Sequence, residues 1–285
     1  MRHLALLLPL LLGACSPPLT PELGPPPRAG ADVIAVAPLT PARQRREPRI
    51  QRVLCGGCGE RRPRASSPPA CACGSGEVEP VRRAPGGVEP RLDGAAVAAR
   101  AAALLAERGG FSRAVALPEP AATDPQARGL ALRDAARAAG ARWLLEPTLQ
   151  AGGEVLYLGQ SAPLVVVKVV NLILCAFLIF PAVDPPNWFI ASESYALDLE
   201  ATWSLVDLRG GAPGQGSLEV WAERAVAEFG LGLMAARPWF LIGFMRVPGC
   251  LDAEDWADIG AELAPDAEES LARSLTLAAE EARQR

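Results

Sequence analysis

The chain has 285 residues, of which 50% are hydrophobic and 21% charged, and its formal net charge is −4. This length suits one folded domain with additional loose segments. His3 is the only histidine and Lys168 the only lysine. Because we expect the segment that holds His3 to be removed, the mature protein would contain no imidazole, which excludes Ser-His-Asp hydrolysis and His-ligated zinc. A mildly acidic chain with a single lysine is also not expected to bind nucleic acid.

The first fifteen residues have the pattern of an exported lipoprotein. Arg2 and His3 precede an apolar stretch at 4–12 that is too short to span a bilayer, and Leu-Gly-Ala-Cys follows, ending at Cys15. These four residues resemble a bacterial lipobox, which implies cleavage before Cys15 and attachment of diacylglycerol to its thiol. An ordinary cleaved signal is the alternative. Ser16 follows the cysteine, which by resemblance to the sorting rule of enteric bacteria favours the outer membrane.

The lipobox divides the chain into three parts. Residues 1–14 are predicted to be a signal peptide, 15–30 a lipidated proline-rich tether, and 31–285 a single α/β domain. Six prolines in the tether favour an extended polyproline conformation. At about 3 Å per residue, fifteen extended residues would hold the domain roughly 45 Å from the bilayer, on its periplasmic side.

The domain is expected to begin with a buried strand and then a long insertion. Residues 33–39 form a short apolar run rich in β-branched residues, which is typical of a strand buried on both faces. Residues 41–91 contain eight prolines, eleven arginines and five glutamates, so the insertion carries a net charge of +6. Because it has no apolar period, we expect it to be disordered or a loosely stapled loop.

Four cysteines lie in this insertion. Cys55, Cys58, Cys71 and Cys73 have the spacing C-x2-C, twelve residues, C-x-C. Four thiolates could hold zinc, but C-x-C is a poor half-site and an exported chain meets an oxidising compartment. Two disulfides are therefore favoured, with zinc and free thiols as alternatives, and no metal or other cofactor is expected.

Helices and strands alternate after the insertion. Asp93 is predicted to cap a helix that ends near residue 108, before a glycine pair. A strand at 112–117, a helix at 125–139 with Leu130 and Ala138 facing inward, and a strand at 141–149 follow. This alternation predicts a sheet with helices packed on it.

An apolar segment at about 162–192 interrupts the pattern. Its centre is long enough to span a bilayer, but a span would separate strands that should share one sheet. We therefore favour an apolar surface that lies on the membrane or contacts a partner, and a contribution to the core and a membrane span are the alternatives. The residues predicted to form this surface are Leu172, Ile173, Phe177, Phe180, Trp188, Phe189, Trp239 and Phe240.

The last third of the chain predicts a hairpin and helices. Apolar and polar residues alternate over 195–208, and 218–223 is predicted to return as the partner strand. A short helix after Asp252 and a last helix that Pro265 begins are expected to complete the domain. The fold class is therefore α/β, with a mixed sheet.

Three short strings carry a resemblance to a known group. Residues 33–39, 138–146 (AAGARWLLE) and 196–207, which end in Val-Asp before a Gly-Gly turn, are similar to the TolB-N-terminal-like lipoproteins. This group includes the curli secretion channel subunit and outer-membrane activators of penicillin-binding proteins. The resemblance implies an α/β sandwich without catalytic residues that acts through protein contacts.

Two functions follow from these observations. The first is a lipid-anchored, non-enzymatic adaptor or assembly factor of the bacterial cell envelope, with an envelope protein as partner and homo-oligomer formation compatible with it. The alternative is a binding module whose basic insertion docks anionic envelope polymers or lipid headgroups. Deletion of 41–91 would distinguish them, because only the second function would lose its ligand completely.

Overall fold

The computed structural model describes residues 21–26, 30–41, 52–55, 61–63, 78–80, 82–83, 91–160, 193–211, 214–226 and 253–284. Its strands are β1 (Val33–Val36), β2 (Arg52–Cys55), β3 (Arg61–Pro63), β4 (Val78–Pro80), β5 (Arg82–Arg83), β6 (Arg113–Ala116), β7 (Trp143–Gln160), β8 (Glu193–Asp207) and β9 (Gly214–Val226). Its helices are α1 (Gly94–Arg108), α2 (Pro125–Ala138) and α3 (Ala253–Gln284).

The main sheet is mixed, as the sequence predicted. Its strand order is β6-β1-β7-β8-β9, and β5 adds a short pairing to the far part of β7. Strands β6, β1 and β7 run parallel, whereas β7, β8 and β9 form a long antiparallel meander. The predicted hairpin of β8 and β9 is therefore confirmed, and β7 covers its other edge.

Helices pack on both faces of this sheet. Helix α1 connects β1 to β6, and α2 connects β6 to β7 on the other side of β1. Because the two crossovers run in opposite directions and have the same handedness, α1 and α2 lie on opposite faces of the sheet. Helices α1 and α3 cover what we call the inner face, with the larger core, and α2 covers one end of the outer face, with the smaller core. The predicted α/β sandwich is confirmed.

Local sequence explains both ends of α1. The Asp93 carboxylate accepts hydrogen bonds from the backbone N–H groups of Ala95 and Ala96, and Gly109 ends the helix with φ 69°. The helix start is also close to β1, because Leu39 N donates to Gly94 O at 3.2 Å. A Cβ atom at Gly94 would lie 2.7 Å from Leu39 O, so glycine is required there. The two ends of the insertion consequently lie side by side.

Two helix predictions need correction. In α2, Leu130 is 60% exposed and Ala138 is also exposed, while Leu132 and Ala136 are buried. The alanine-rich helix offers two weakly apolar stripes, and contact with the outer face selects the one with Leu132. The C-terminal region is one helix with Pro265 inside it, because the apolar stripe from Trp256 to Ala279 is continuous against the sheet. This burial outweighs the lost backbone hydrogen bond of the proline.

The insertion contains short strands that its composition did not predict. Strands β2, β3 and β4 form a separate antiparallel sheet in the order β3-β2-β4. Strand β5 pairs Arg82 with Tyr157 and Arg83 with Leu156. Runs of two to four residues are too short to show an alternating pattern in the sequence.

Candidate binding surface

Most residues that the sequence singled out lie outside the described residues. These are Cys15, Cys58, Cys71, Cys73, Leu172, Ile173, Phe177, Phe180, Trp188, Phe189, Trp239 and Phe240. The backbone of Cys55 is described and ends β2, where it pairs with Val78. The described part of the chain contains no group of three or more residues placed to hold a metal ion. None of the described helices is long and apolar enough to cross a membrane.

An open groove lies on the outer face, beside the end that α2 covers. It has a volume of about 510 Å³ and runs across β7, β8 and β9. The register places Glu146 opposite Ser204 and Thr148 opposite Thr202, so the polar side chains of the two strands meet in pairs. The residues that line the groove are Glu146, Thr148, Thr202, Trp203, Ser204, Gln215 and Gly216.

Hydrogen bonds order the polar side chains of the groove. The Ser204 hydroxyl donates to the Glu146 carboxylate at 3.3 Å, and the Thr202 hydroxyl donates to the Thr148 carbonyl at 3.4 Å. Both are long, and an open groove lets an incoming group compete for the same oxygens. The groove therefore presents carboxylate, hydroxyl and amide groups suited to a ligand that donates hydrogen bonds.

Trp203 borders the groove and also packs against the inner core. A Cβ atom at Gly216 would lie 2.9 Å from its Nε1 atom and one at Gly214 3.5 Å from its Cζ3 atom. The two glycines on β9 thus leave room for the indole ring to lie across the edge strand, which compensates for their missing side chains.

The outer face of the meander is acidic. The register places six carboxylates on it, and the one basic residue in strands β7 to β9, Arg224, points to the other face and binds Asp266 of α3 at 3.6 Å. Four of the six take part in other interactions, whereas Glu146 lines the groove. The six residues are Glu146, Glu154, Asp198, Glu200, Glu219 and Glu223. In the groove, a partner with positive charge would complement Glu146.

An ion cluster fixes the end of the sheet where β1 and β7 begin. Arg142 binds Asp32 at 3.2 Å and Asp207 at 3.3 Å, so it joins three strands. A hydrogen bond from the backbone N–H of Arg209, with help from Arg142, lowers the pKa of the Asp207 carboxyl. A Cβ atom at Gly211 would lie 2.7 Å from an Asp207 oxygen. The Val-Asp and Gly-Gly string therefore has a structural role, since it closes the turn from β8 to β9.

An arginine of α1 binds a glutamate of α3. Arg100 binds Glu269 at 2.5 Å, and Glu269 also accepts from Arg273 one turn along its own helix. These hydrogen bonds lower the pKa of Glu269 to about 2. Burial instead raises the pKa of Glu262 and Glu268 on the same helix.

The shifted pKa of Glu269 predicts a pH dependence. A folded-state pKa below the ordinary value of 4.5 stabilises the fold above that pH, and the stabilisation is lost as the pH falls from 4.5 towards about 2. Glu269→Gln should lower the free energy of unfolding by about 1 to 2 kcal/mol at neutral pH, discounted because Arg100 is partly exposed. The deficit should shrink at about pH 3, in urea unfolding followed by circular dichroism.

Asp134→Asn is the matched control for this measurement. Asp134 forms an ion pair with Arg137 in which both side chains are more than half exposed, so its loss should change the free energy by less than about 0.5 kcal/mol at any pH. A deficit for Glu269→Gln that is the same at both pH values would contradict the assignment.

Comparisons with known proteins add little. No family model matches the chain, and no curated protein matches it. Two solved structures are similar over most of their length: the PelC dodecamer from Paraburkholderia phytofirmans and a variant of the same dodecamer. Each is 11% identical to this chain, covers 90% of it and at least 97% of its own chain, and has a TM-score of 0.27. At this TM-score the likeness carries no conclusion about the present chain.

Proposed function

We propose that this protein is a lipid-anchored, non-enzymatic component of the bacterial cell envelope that acts as an adaptor by binding a protein partner on its outer sheet face. The lipobox that ends at Cys15 supports the anchor and the periplasmic location, and the outer membrane is the favoured site. Several acyl chains on one cysteine would anchor the protein stably, at about 0.8 kcal/mol per buried methylene.

The open groove beside α2 is the observation that carries the adaptor proposal. In the described part of the chain, α1 and α3 fill the inner face of the meander, while the groove beside α2 on the outer face is open. Farther along the outer face, Leu156 and Ala196 are buried. The groove presents Glu146, Ser204 and Gln215. These groups suit a protein segment that carries positive charge and hydrogen-bond donors.

The same groups do not favour catalysis. A serine nucleophile needs a neighbouring base and donors for the oxyanion that develops. Ser204 lies 3.3 Å from the Glu146 carboxylate, but no basic residue of the described strands β7 to β9 shares the outer face. We therefore assign Ser204 and Glu146 to ligand binding.

Photo-crosslinking in living cells tests this proposal. A photoreactive residue in place of Thr202, in the groove, should form an adduct with one envelope protein. The same residue in place of Leu130, which is 60% exposed on α2, should not. Ser204→Arg should lower the yield of the Thr202 adduct about fivefold or more, because a positive charge in the groove repels a basic partner. Ser204→Thr should leave the yield unchanged. Equal yields at both positions would contradict the proposal, and an adduct with a second copy would identify a homo-oligomer.

The charge of the insertion favours the second candidate function, docking of anionic polymers or headgroups. Its net charge is +6, and β5 holds its last part beside β7. Because Leu39 and Gly94 are hydrogen-bonded at its base, residues 42–90 can be replaced by a short glycine-serine linker without separating β1 from α1. If this deletion abolishes binding to peptidoglycan or anionic vesicles and leaves the Thr202 adduct unchanged, the two functions reside in separate parts of the chain.

A further inference from the structure

The chain before β1 is attached to the domain over most of its described length. Leu23 packs against the inner core. Arg108, at the end of α1, donates through Nη1 to Gly24 O at 2.9 Å and through Nη2 to Pro25 O at 3.1 Å. We call residues 21–26 together with 30–32 the strap.

Arg108 is held in place by α3. Its guanidinium forms a two-pronged ion pair with Glu280, at 2.7 Å and 2.8 Å, and the two side chains are only 10% and 6% exposed. Such a pair is geometrically specific and costly to break, because removing one partner leaves a buried charge. Arg108 therefore presents its remaining N–H groups to the strap in a fixed direction.

A second set of contacts fixes the strap next to β1. The Ser112 hydroxyl donates to Ala31 O at 2.9 Å and approaches Asp32 O at 3.1 Å. Gly30 lies between the Arg283 guanidinium and the Gly110 carbonyl, so closely that a Cβ atom would collide with both. Arg283 itself lies over the ring of Phe111, 5.1 Å from its centroid. The strap is thus held at one end by Arg108 in the last turn of α1, and at the other end by Ser112 and by the Arg283 side chain at the end of α3.

We propose that the strap turns one end of the domain toward the bilayer that carries the Cys15 lipid, so that this end is a membrane-facing surface. The proposal rests on the lipid anchor proposed above. Only the six steps from Cys15 to Pro21 then separate the anchor from the strap, which is about 19 Å in an extended conformation, instead of the roughly 45 Å of a free tether.

The fold defines which surface this end contains. It holds the starts of β1, β6 and β7, the turn after Asp207 and the end of α3, where Ala282 packs near Gly214. The other end holds the start of α3, where Trp256 contacts Tyr195 near the start of β8. Fourteen steps of β8 separate the two ends by about 45 Å, and the groove lies about 10 Å from the membrane-facing end.

Limited proteolysis tests whether the strap is attached. In the chain with Cys15→Ser, which removes any effect of the lipid, a glutamate-specific protease should cleave slowly after Glu22, and Arg108→Ala should accelerate this cleavage about tenfold or more. Arg100→Ala is the matched control, because Arg100 also joins α1 to α3 but does not contact the strap. Leu23→Ser is a second variant that should release the strap, because it removes the packing of Leu23 and leaves the Arg108–Glu280 pair intact. Unchanged cleavage after Glu22 in both releasing variants would overturn the proposal.

Energy transfer to a dye-labelled lipid tests the orientation. The lipidated protein is placed in phosphatidylethanolamine–phosphatidylglycerol vesicles with a fluorescent residue either at Arg209, by the turn after β8, or at Ala253, at the start of α3. Transfer should be at least about twofold stronger from position 209 in the wild type and in Arg100→Ala, and the difference should shrink in Arg108→Ala and Leu23→Ser. Equal transfer in the wild type overturns the proposal. A protein without lipid would instead fail to float with the vesicles, which contradicts the anchor and not the strap.

Discussion

Replacing Trp256 with alanine should lower the free energy of unfolding by about 3 to 5 kcal/mol, the largest effect we expect from one substitution in this domain. Trp256 is fully buried at the start of α3, and its ring meets Tyr195 edge-on at 5.8 Å. Its removal leaves a cavity between helix and sheet at the end of α3 that precedes Pro265, where the backbone has one hydrogen bond fewer. Urea unfolding followed by circular dichroism measures the change.

Trp256→Phe separates the packing from the polar atom of this residue. The indole Nε1 atom is buried and has no hydrogen-bond partner among the described residues. Phenylalanine keeps a ring in the cavity and removes an unsatisfied donor, so this variant should lose no more than about 1.5 kcal/mol. If phenylalanine is as destabilising as alanine, the indole Nε1 atom forms a stabilising hydrogen bond and packing alone does not explain the loss.

Local physics made part of the fold predictable from the sequence. Asp93 before an alanine-rich run and Gly109 after it determine both ends of α1 whatever packs around them. The alternation of β8 likewise shows which residues face the core, and Leu197, Leu199 and Leu205 are buried as predicted. These features depend on neighbours within a few residues, which the sequence displays directly.

Other elements depend on contacts that no local pattern contains. Strand β7 was expected to end near Leu149, but it continues to Gln160 through irregularities around Gly152 and Gly153. Glycines interrupt the alternation of apolar and polar residues and so predict a turn, whereas in the assembled sheet they permit bulges. The length of β8 on one side and the pairing of β5 on the other extend the strand past them.

The groove and the strap could not be predicted from the sequence, for a similar reason. The groove requires Glu146 to meet Ser204, which are 58 residues apart, through a register that only the assembled meander sets. The strap requires Arg108 to bind Glu280, 172 residues away, and Gly24 at the same time. Before assembly each of these residues resembles any other polar residue on a helix or strand.

A fusion of alkaline phosphatase after Arg285 should be active, and protease added to spheroplasts should reach the C-terminal helix. The reason is the register on either side of the apolar segment. Gln160 pairs with Glu193, and Glu193 pairs with Val226, so the residues that flank 161–192 lie in adjacent strands. Such partners are about 5 Å apart, whereas the apolar core of a bilayer is about 30 Å thick.

A single crossing by this segment would therefore pull β8 away from β7. Two helical crossings would need about 40 residues, and the segment has 32. The same reasoning holds for 227–252, because Arg224 before it binds Asp266 after it at 3.6 Å. A matched fusion after Gln160 should be as active as the one after Arg285. Activity of a cytoplasmic reporter at the C-terminus alone would mean that β7 and β8 are not neighbours, and the meander that forms the groove would not exist.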